Sequence, residues 1–439
     1  MKVGHELPPP DPSDPAGRGR YDRFRNEVMA GGSVTEAPAD EDPPATLAGK
    51  LTGVAILGLL ALLAFTNTWM FVFVVGIIAS VFLHEAGHFL TARLTGMKAT
   101  QFFLGFGPRL WSFRRGETEY GVRALPLGAY VRIIGMNNMD DVPPADEAKT
   151  YRQQTFPRRL LVISAGSLMH MVVAFLLLFA VYSVKGEPVQ LPGALVGTLQ
   201  VGGPAAEAGI APDDLVLSID GVDIKGADEL GREVRRHDPG DVVPVVVERD
   251  GTTRTIDVTL GRNTDQNDPN VGAALLGVGS SGVNGWQERS VGSAVVNGVT
   301  DLFPVAWDSA EGVVKVLNPV NIINHLTGET DDITTRPTTV VGITQVSGSV
   351  GEDEGLLGVL YILAALNVFV GVFNMFPLLP LDGGHAAIAV YERIRERGGR
   401  YRRYFTDVSK LMPFAMGVIV VLLLLFMSGL YLDIARPLR

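Results

Sequence analysis

The chain contains His84-Glu85-Ala86-Gly87-His88. On an α-helix, residues four apart share one face, so both imidazoles can reach one cation while the glutamate between them approaches a water held there. Zinc gripped by two histidines needs a third protein ligand and an open position for water. The best source of that ligand is Asp382, in the run Asn374-Met375-Phe376-Pro377-Leu378-Leu379-Pro380-Leu381-Asp382-Gly383-Gly384-His385. Two prolines and a glycine pair break the helix beside this carboxylate, and broken backbone at membrane depth is tolerated only where it is buried in protein or lines a wet cavity. A structural meaning exists for each motif: histidines packing at a water interface, and an aspartate capping the next helix. Against it stands the position of His84 to His88 at the end of an apolar run, where ionisable groups are costly and mark function.

These residues sit in a chain of 439 residues with 47% hydrophobic and 19% charged residues, no cysteine and a net charge of −10. So few charges, with apolar runs of twenty residues or more, point to a membrane protein. The lack of cysteine excludes disulfides, thiolate metal sites and a cysteine nucleophile. The acidic balance argues against a nucleic-acid partner. The first 45 residues or so are rich in Pro, Gly, Asp and Glu without apolar periodicity and read as a disordered tail. Leu51 to Leu83 is almost uninterruptedly apolar, and as one helix would extend roughly 50 Å. Since a bilayer core is only about 30 Å thick, the run is read as two spans with a tight turn at Thr66-Asn67-Thr68, rather than as one helix projecting far out of the membrane. Leu160 to Val184, Leu356 to about Pro380 and Met412 to Leu432 are further spans.

Basic residues set the orientation. Arg93, Lys98, Arg109, Arg114, Arg115, Arg123, Arg132, Arg158 and Arg159 crowd one connection, and Arg393, Arg395, Arg397, Arg400, Arg402, Arg403 and Lys410 another. Both are expected in the cytoplasm, with the acidic stretch from Lys185 to Gly355 outside. Within that stretch, Leu215 to Ile219, Val242 to Glu248 and Thr255 to Leu260 are β-branched runs separated by Asp220-Gly221 and Asp250-Gly251, with a helical stretch at Ala227 to Arg236. This pattern predicts a compact, mostly-β module. Val291 to Leu326 carries apolar residues at helical spacing and is expected to form amphipathic helices on the membrane face.

Together with Gly105-Phe106-Gly107-Pro108 and the run Tyr120 to Val131, these motifs resemble the site-2 protease family of intramembrane zinc metalloproteases, specifically the bacterial regulators of sigma-factor activation of the RseP type with one PDZ domain. The resemblance runs from about Phe71 to the C-terminus. It implies a polytopic α-helical membrane protein with a membrane-associated β-hairpin and an external α+β PDZ domain. It implies one Zn2+ per chain on His84, His88 and Asp382, with Glu85 as catalytic base and acid. The substrate-binding residues it implies are Asn374, matched to the family's asparagine, Asn367 two turns earlier, and Gly105, Gly107, Gly128 and Tyr130 of the hairpin, whose edge would take an unwound substrate segment as an added strand. The order implied is a disordered cytoplasmic tail at 1–50, an extra transmembrane helix at 51–66 and the metal-motif span at 67–96. A cytoplasmic region with the hairpin follows at 97–159, then a span at 160–185, the PDZ domain at 189–262 and an external linker with amphipathic helices at 263–353. A transmembrane segment at 354–390, a basic cytoplasmic loop at 391–410 and a last span at 411–433 complete it.

The chain departs from the family where Ala165-Gly166-Ser167-Leu168-Met169-His170 replaces Ala-Gly-Pro-x-x-Asn. His170 is therefore open to three readings: a group that orients a ligand or touches substrate, a packing histidine, or an alternative metal ligand. The function implied is hydrolysis within the transmembrane segment of a single-span protein, an anti-sigma factor already truncated by a site-1 protease. The enzyme would sit among the lipids of a bacterial inner membrane as a multi-pass protein. A non-catalytic scaffold using PDZ and hairpin is the alternative; it has no need of ionisable groups inside a bilayer. A transporter would show paired halves that this chain lacks.

Overall fold

A computed structural model describes residues 47–136, 140, 142–265, 270–287, 290–330, 332, 334–397 and 403–437. Residues 1–46 of the expected disordered tail and part of the second basic loop lie outside them, whereas 47–50, expected in that tail, are helical. The long apolar run breaks where expected: α1 (Leu47–Thr66) ends and α2 (Thr68–Leu94) begins at Asn67, whose extended backbone and side-chain oxygen, 2.9 Å from the Met70 amide, cap α2. Among the described residues four helices are long and apolar enough to cross a bilayer: α2, α3 (Phe156–Lys185), α9 (Val340–Asn374) and α11 (Met412–Ala435). The apolar part of α1, Leu51–Thr66, is shorter. Val420, Val421, Leu423, Leu424, Phe426 and Met427 of α11 are all exposed, an exterior suited to lipid rather than water.

Small residues set the helix contacts. Gly348 and Gly351 of α9 lie against Met70 and Trp69 of α2, and Phe73, Val359 and Leu363 form the buried seam between them. Gly355, at φ 70°, breaks the helical conformation inside α9, just before the apolar run that begins at Leu356. A second core joins Phe89, Ala92, Val131, Ile133, Val162, Ile163 and Ala386 from four different elements.

The hairpin is β1 (Ala99–Arg115) and β2 (Thr118–Ile133). It is more folded than a two-stranded ribbon. Gln101 to Leu104 have partners on both sides, Ala129 to Arg132 on one and Glu119 to Val122 on the other, while Arg109 to Arg115 pair with Thr118 to Arg123. Gly105 and Gly107, at φ 90° and 80°, make the bend; a side chain at Gly105 would meet the Leu125 carbonyl at 2.7 Å.

Residues Tyr182–Ala294 form a separate compact unit. The chain enters it through β3 (Glu187–Leu199) and α4 (Pro204–Ala208), then β4 (Leu215–Ile219), β5 (Val222–Asp223) and α5 (Ala227–Val234). Next come β6 (Val242–Arg249), β7 (Thr252–Thr259), the short pair β8 (Gly261–Arg262) and β9 (Ala274–Leu275), and β10 (Val278–Gln287). The sheet order is β10-β3-β4-β6-β7, with β5 beside β4. Val196, Val216, Ile219, Ile224, Leu230, Val245 and Val258 fill its core. Asp220-Gly221 and Asp250-Gly251 take positive φ as two-residue hairpin turns, as their sequence demands. The module is larger than the 189–262 expected: β10, placed by sequence in the linker, pairs with β3 from Val278↔Leu199 to Gln287↔Glu187. The rest of that linker forms α6 (Val291–Thr300), α7 (Leu302–Val316) and α8 (Pro319–Thr327), and α10 (Asp382–Arg397) follows α9.

Asp214 is fully buried in this module and accepts two hydrogen bonds from Arg249, at 2.5 and 2.6 Å, and one from the Ala211 amide at 2.9 Å. The Arg249 guanidinium holds its carboxyl below the usual carboxylate range. A carboxyl acidified by folding stabilises the fold above its unfolded pKa of about 4 and loses that contribution as pH falls through its folded value. Hydrogen exchange of β4 and β6, corrected for intrinsic rates, is therefore expected to lose protection below about pH 4. The Arg249→Met variant should be less protected at pH 7 and show a flatter acid dependence.

Candidate metal centre and active site

Asp382 is the first residue of α10, while His84 and His88 stand on the last turns of α2. The loop between α9 and α10 brings the two together. Gly383 and Gly384 lie so close to the backbone of Met375 to Leu379 that side chains at either position would collide with it. Further along α10, buried Glu392 takes a 2.5 Å ion pair from Arg159 of α3 and a bond from the Thr406 amide at 2.7 Å. The carboxylate is thus fixed from both sides.

Three donor atoms converge. His84 Nε2 and His88 Nε2 are 3.2 Å apart, and Asp382 Oδ2 is 3.4 Å from the first and 3.2 Å from the second. Ligands about 2.0–2.1 Å from a tetrahedral zinc ion stand roughly 3.3 Å from each other. The tautomer agrees: His88 Nδ1 lies 2.7 Å from the Val162 carbonyl, which can only accept, so Nδ1 carries the proton and Nε2 presents its lone pair. Two imidazole nitrogens and a carboxylate oxygen converging on one point, with both histidines buried, fit a cation.

Glu85 lines the same cavity, of about 380 Å³, with Gly128, Ala129, Val131, Ile133, His170 and Asn374 around it. Its Oε2 accepts the Val131 amide at 3.1 Å, tying the glutamate to the edge of β2. His170, on α3, has its ring 5.0 Å from that of His84, and no atom of it joins the metal-binding group. That sets aside its reading as a metal ligand.

Several expected substrate contacts lie elsewhere. Asn367 is buried away from the cavity, donating to Ser80 Oγ at 3.1 Å and the Leu363 carbonyl at 2.8 Å and facing His170 Nδ1 at 2.8 Å. Two turns along a helix are also a rise of about 10 Å, so Asn367 meets a different layer from Asn374. Tyr130 is 1% exposed and stacks on Phe103 and Phe106 with Arg123 over it, because strand alternation turns it away from the face of Val131. Gly105 and Gly107 serve the bend of the hairpin and do not line the cavity. Conversely, His385 does line it, with Nε2 buried; its spacing of three residues from Asp382 on a helix was the available signal.

Peptidase family M50 is matched over residues 72–426. The chain belongs to that family. The zinc metalloprotease Rip1 of Mycobacterium tuberculosis is 34% identical over 402 residues, covering 85% of this chain and 98% of the relative. Rip1 of Mycolicibacterium smegmatis is 32% identical over 398 residues, covering 83% and 97%. The crystal structure of a PDZ domain from the SdrC-like protein of Listeria monocytogenes is similar at 23% identity and a TM-score of 0.19, covering 21% of this chain and 90% of that one. This M50 peptidase is a zinc metalloprotease of the site-2 type built on membrane-competent helices.

Gly166 of α3 packs directly on the donor pair: a side-chain carbon there would lie 2.5 Å from both Nε2 atoms. Gly166→Ala is therefore expected to lower zinc affinity at least about tenfold, the scale on which disturbed ligand surroundings act, and so to lower the zinc retained against a competing chelator. Metal analysis of the purified protein checks it, and an unchanged thermal transition separates the effect from misfolding.

Proposed function

We propose that the protein hydrolyses a peptide bond within the transmembrane segment of a single-span membrane protein already shortened outside the membrane, with an anti-sigma factor as the substrate class. The observation that carries this reading is the convergence of His84, His88 and Asp382 at 3.2–3.4 Å in a cavity walled by the β2 edge and by Glu85. In this reading His84, His88 and Asp382 hold the zinc ion. When bound, zinc supplies Lewis acidity to the scissile carbonyl and to a water molecule. Glu85 removes the proton of the attacking water and returns it to the departing amine. Peptide groups in a helix are hydrogen-bonded to one another, so the segment must unwind first. Ala129 to Ile133, paired on one side with Ala99 to Leu104, offers its other side as a template for the extended chain. Asn374, which lines the cavity, contacts the substrate backbone.

The distribution of Arg and Lys supports an inner-membrane orientation with the hairpin and the 391–410 loop cytoplasmic and the module of Tyr182–Ala294 outside. α1 is read as an additional membrane helix and the module as a PDZ domain that admits only substrates lacking a bulky external domain. Cysteine substitutions on this cysteine-free background test the topology: a cysteine at Ser218 or Asp250 should label in intact cells, and labelling only after permeabilisation would reverse the orientation.

The decisive measurement is cleavage of full-length and externally truncated single-span substrates by purified protein with and without a chelator. Truncated substrate should be cut and chelation should stop it; failure to cut any membrane-inserted segment would refute the reading. Glu85→Gln should lower turnover by at least about 100-fold, the lower range for loss of a general base, with zinc content near that of the parent.

A further inference from the structure

His170 occupies the position at which the resembled family carries asparagine, and its surroundings fix its tautomer. The Asn367 amide nitrogen lies 2.8 Å from the Leu363 carbonyl, a pure acceptor, and 3.1 Å from Ser80 Oγ. That fixes which end of the amide is nitrogen, so its oxygen is the atom 2.8 Å from His170 Nδ1. An oxygen can only accept there, so His170 Nδ1 carries the hydrogen; burial among apolar helices favours the neutral ring, in which Nε2 then keeps the lone pair. Gly371 of α9 leaves room for the ring, since a side chain there would meet His170 Cβ at 3.1 Å. His170 is 2% exposed, lines the metal cavity, and its Nε2 has no hydrogen-bond partner among the described residues.

An acceptor built this way cannot stabilise a developing oxyanion, which needs a donor. It can receive an N–H. The unwound substrate brings backbone N–H groups into this enclosed cavity, and each is costly there without a partner. In an extended chain the amides alternate between two sides. One side faces the β2 edge at Ala129 to Ile133, and the other faces α3 and α9, where His170 and Asn374 line the cavity.

We propose that His170 Nε2 accepts one backbone N–H of the extended substrate on the side away from β2, so that His170 sets the register in which the chain is cut. The proposal rests on the proteolytic reading above. It makes His170 a residue that binds substrate, supported by Asn367 and Ser80, rather than one that holds metal.

The test is a backbone scan. Truncated single-span peptides in nanodiscs, each with one amide N–H near the cleaved bond replaced by an ester oxygen, are compared on the full-length parent, His170→Phe and His170→Gln. At one position the ester should reduce kcat/KM of the parent about tenfold, the worth of one hydrogen bond. His170→Phe should lose about as much on the all-amide peptide and nothing further on that ester, and its cut position should spread over neighbouring bonds. His170→Gln, which keeps an acceptor at the same reach, should recover most of the loss. Zinc content of both variants should equal that of the parent. Additive losses at every position, an unchanged cut position in His170→Phe, or loss of zinc from that variant would overturn the proposal while leaving the proteolytic reading intact; a parent that cuts no peptide of the set overturns both.

Discussion

Two imidazole nitrogens and a carboxylate oxygen pressed within 3.4 Å of one another, with little access to solvent, need positive charge among them, a metal ion or a proton, to be held there. The surroundings of the site can be derived from that constraint. The lone pairs must point inward, so the far side of His88 is held by a main-chain carbonyl. The carboxylate must come from a distant part of the chain without a loose loop, so α10 begins on Asp382 itself and is pinned at Glu392. The glutamate must stay near the metal without ligating it, and the Val131 amide gives it a partner meanwhile.

The same demand extends through the helices. Polar side chains among apolar helices link to one another, as in Ser80, Asn367 and His170, or to backbone ends. Asp433, fully buried near the end of α11, accepts from Thr339 and from the Gly342 amide at the start of α9. A carboxylate there meets the unpaired amides and partial positive charge of a helix N-terminus.

What could be read from sequence was local or compositional. His84, Glu85 and His88 follow from a four-residue spacing, and Asp382 stands out as an ionisable residue in a Pro- and Gly-broken apolar run. The break at Asn67 and the two Asp-Gly hairpins are likewise encoded within four residues. Long-range pairing was not legible. Val278-Gly-Ser-Ser-Gly-Val-Asn-Gly-Trp-Gln has little strand propensity of its own and becomes a strand because β3 offers a complementary edge. The double-sided pairing of Gln101 to Leu104 escaped for the same reason. Asn367 was assigned to substrate from helical periodicity, which gives angle but not depth.

Gly87 and Gly166 put α2 and α3 in near backbone contact: a side-chain carbon at Gly87 would sit 2.7 Å from the Ala165 carbonyl oxygen. Close-packed surfaces slide only by losing their fit, so this crossing acts as a fixed bearing rather than a door. On the proteolytic reading proposed above, a guest helix would enter by the opposite walls, the folded hairpin on one flank and the α9–α10 turn on the other. Of these, the turn carries Asp382, so displacing it would spread the metal donors apart, whereas yielding at the hairpin leaves them in place. On that reading, lateral traffic and metal retention fall to different parts of one cavity.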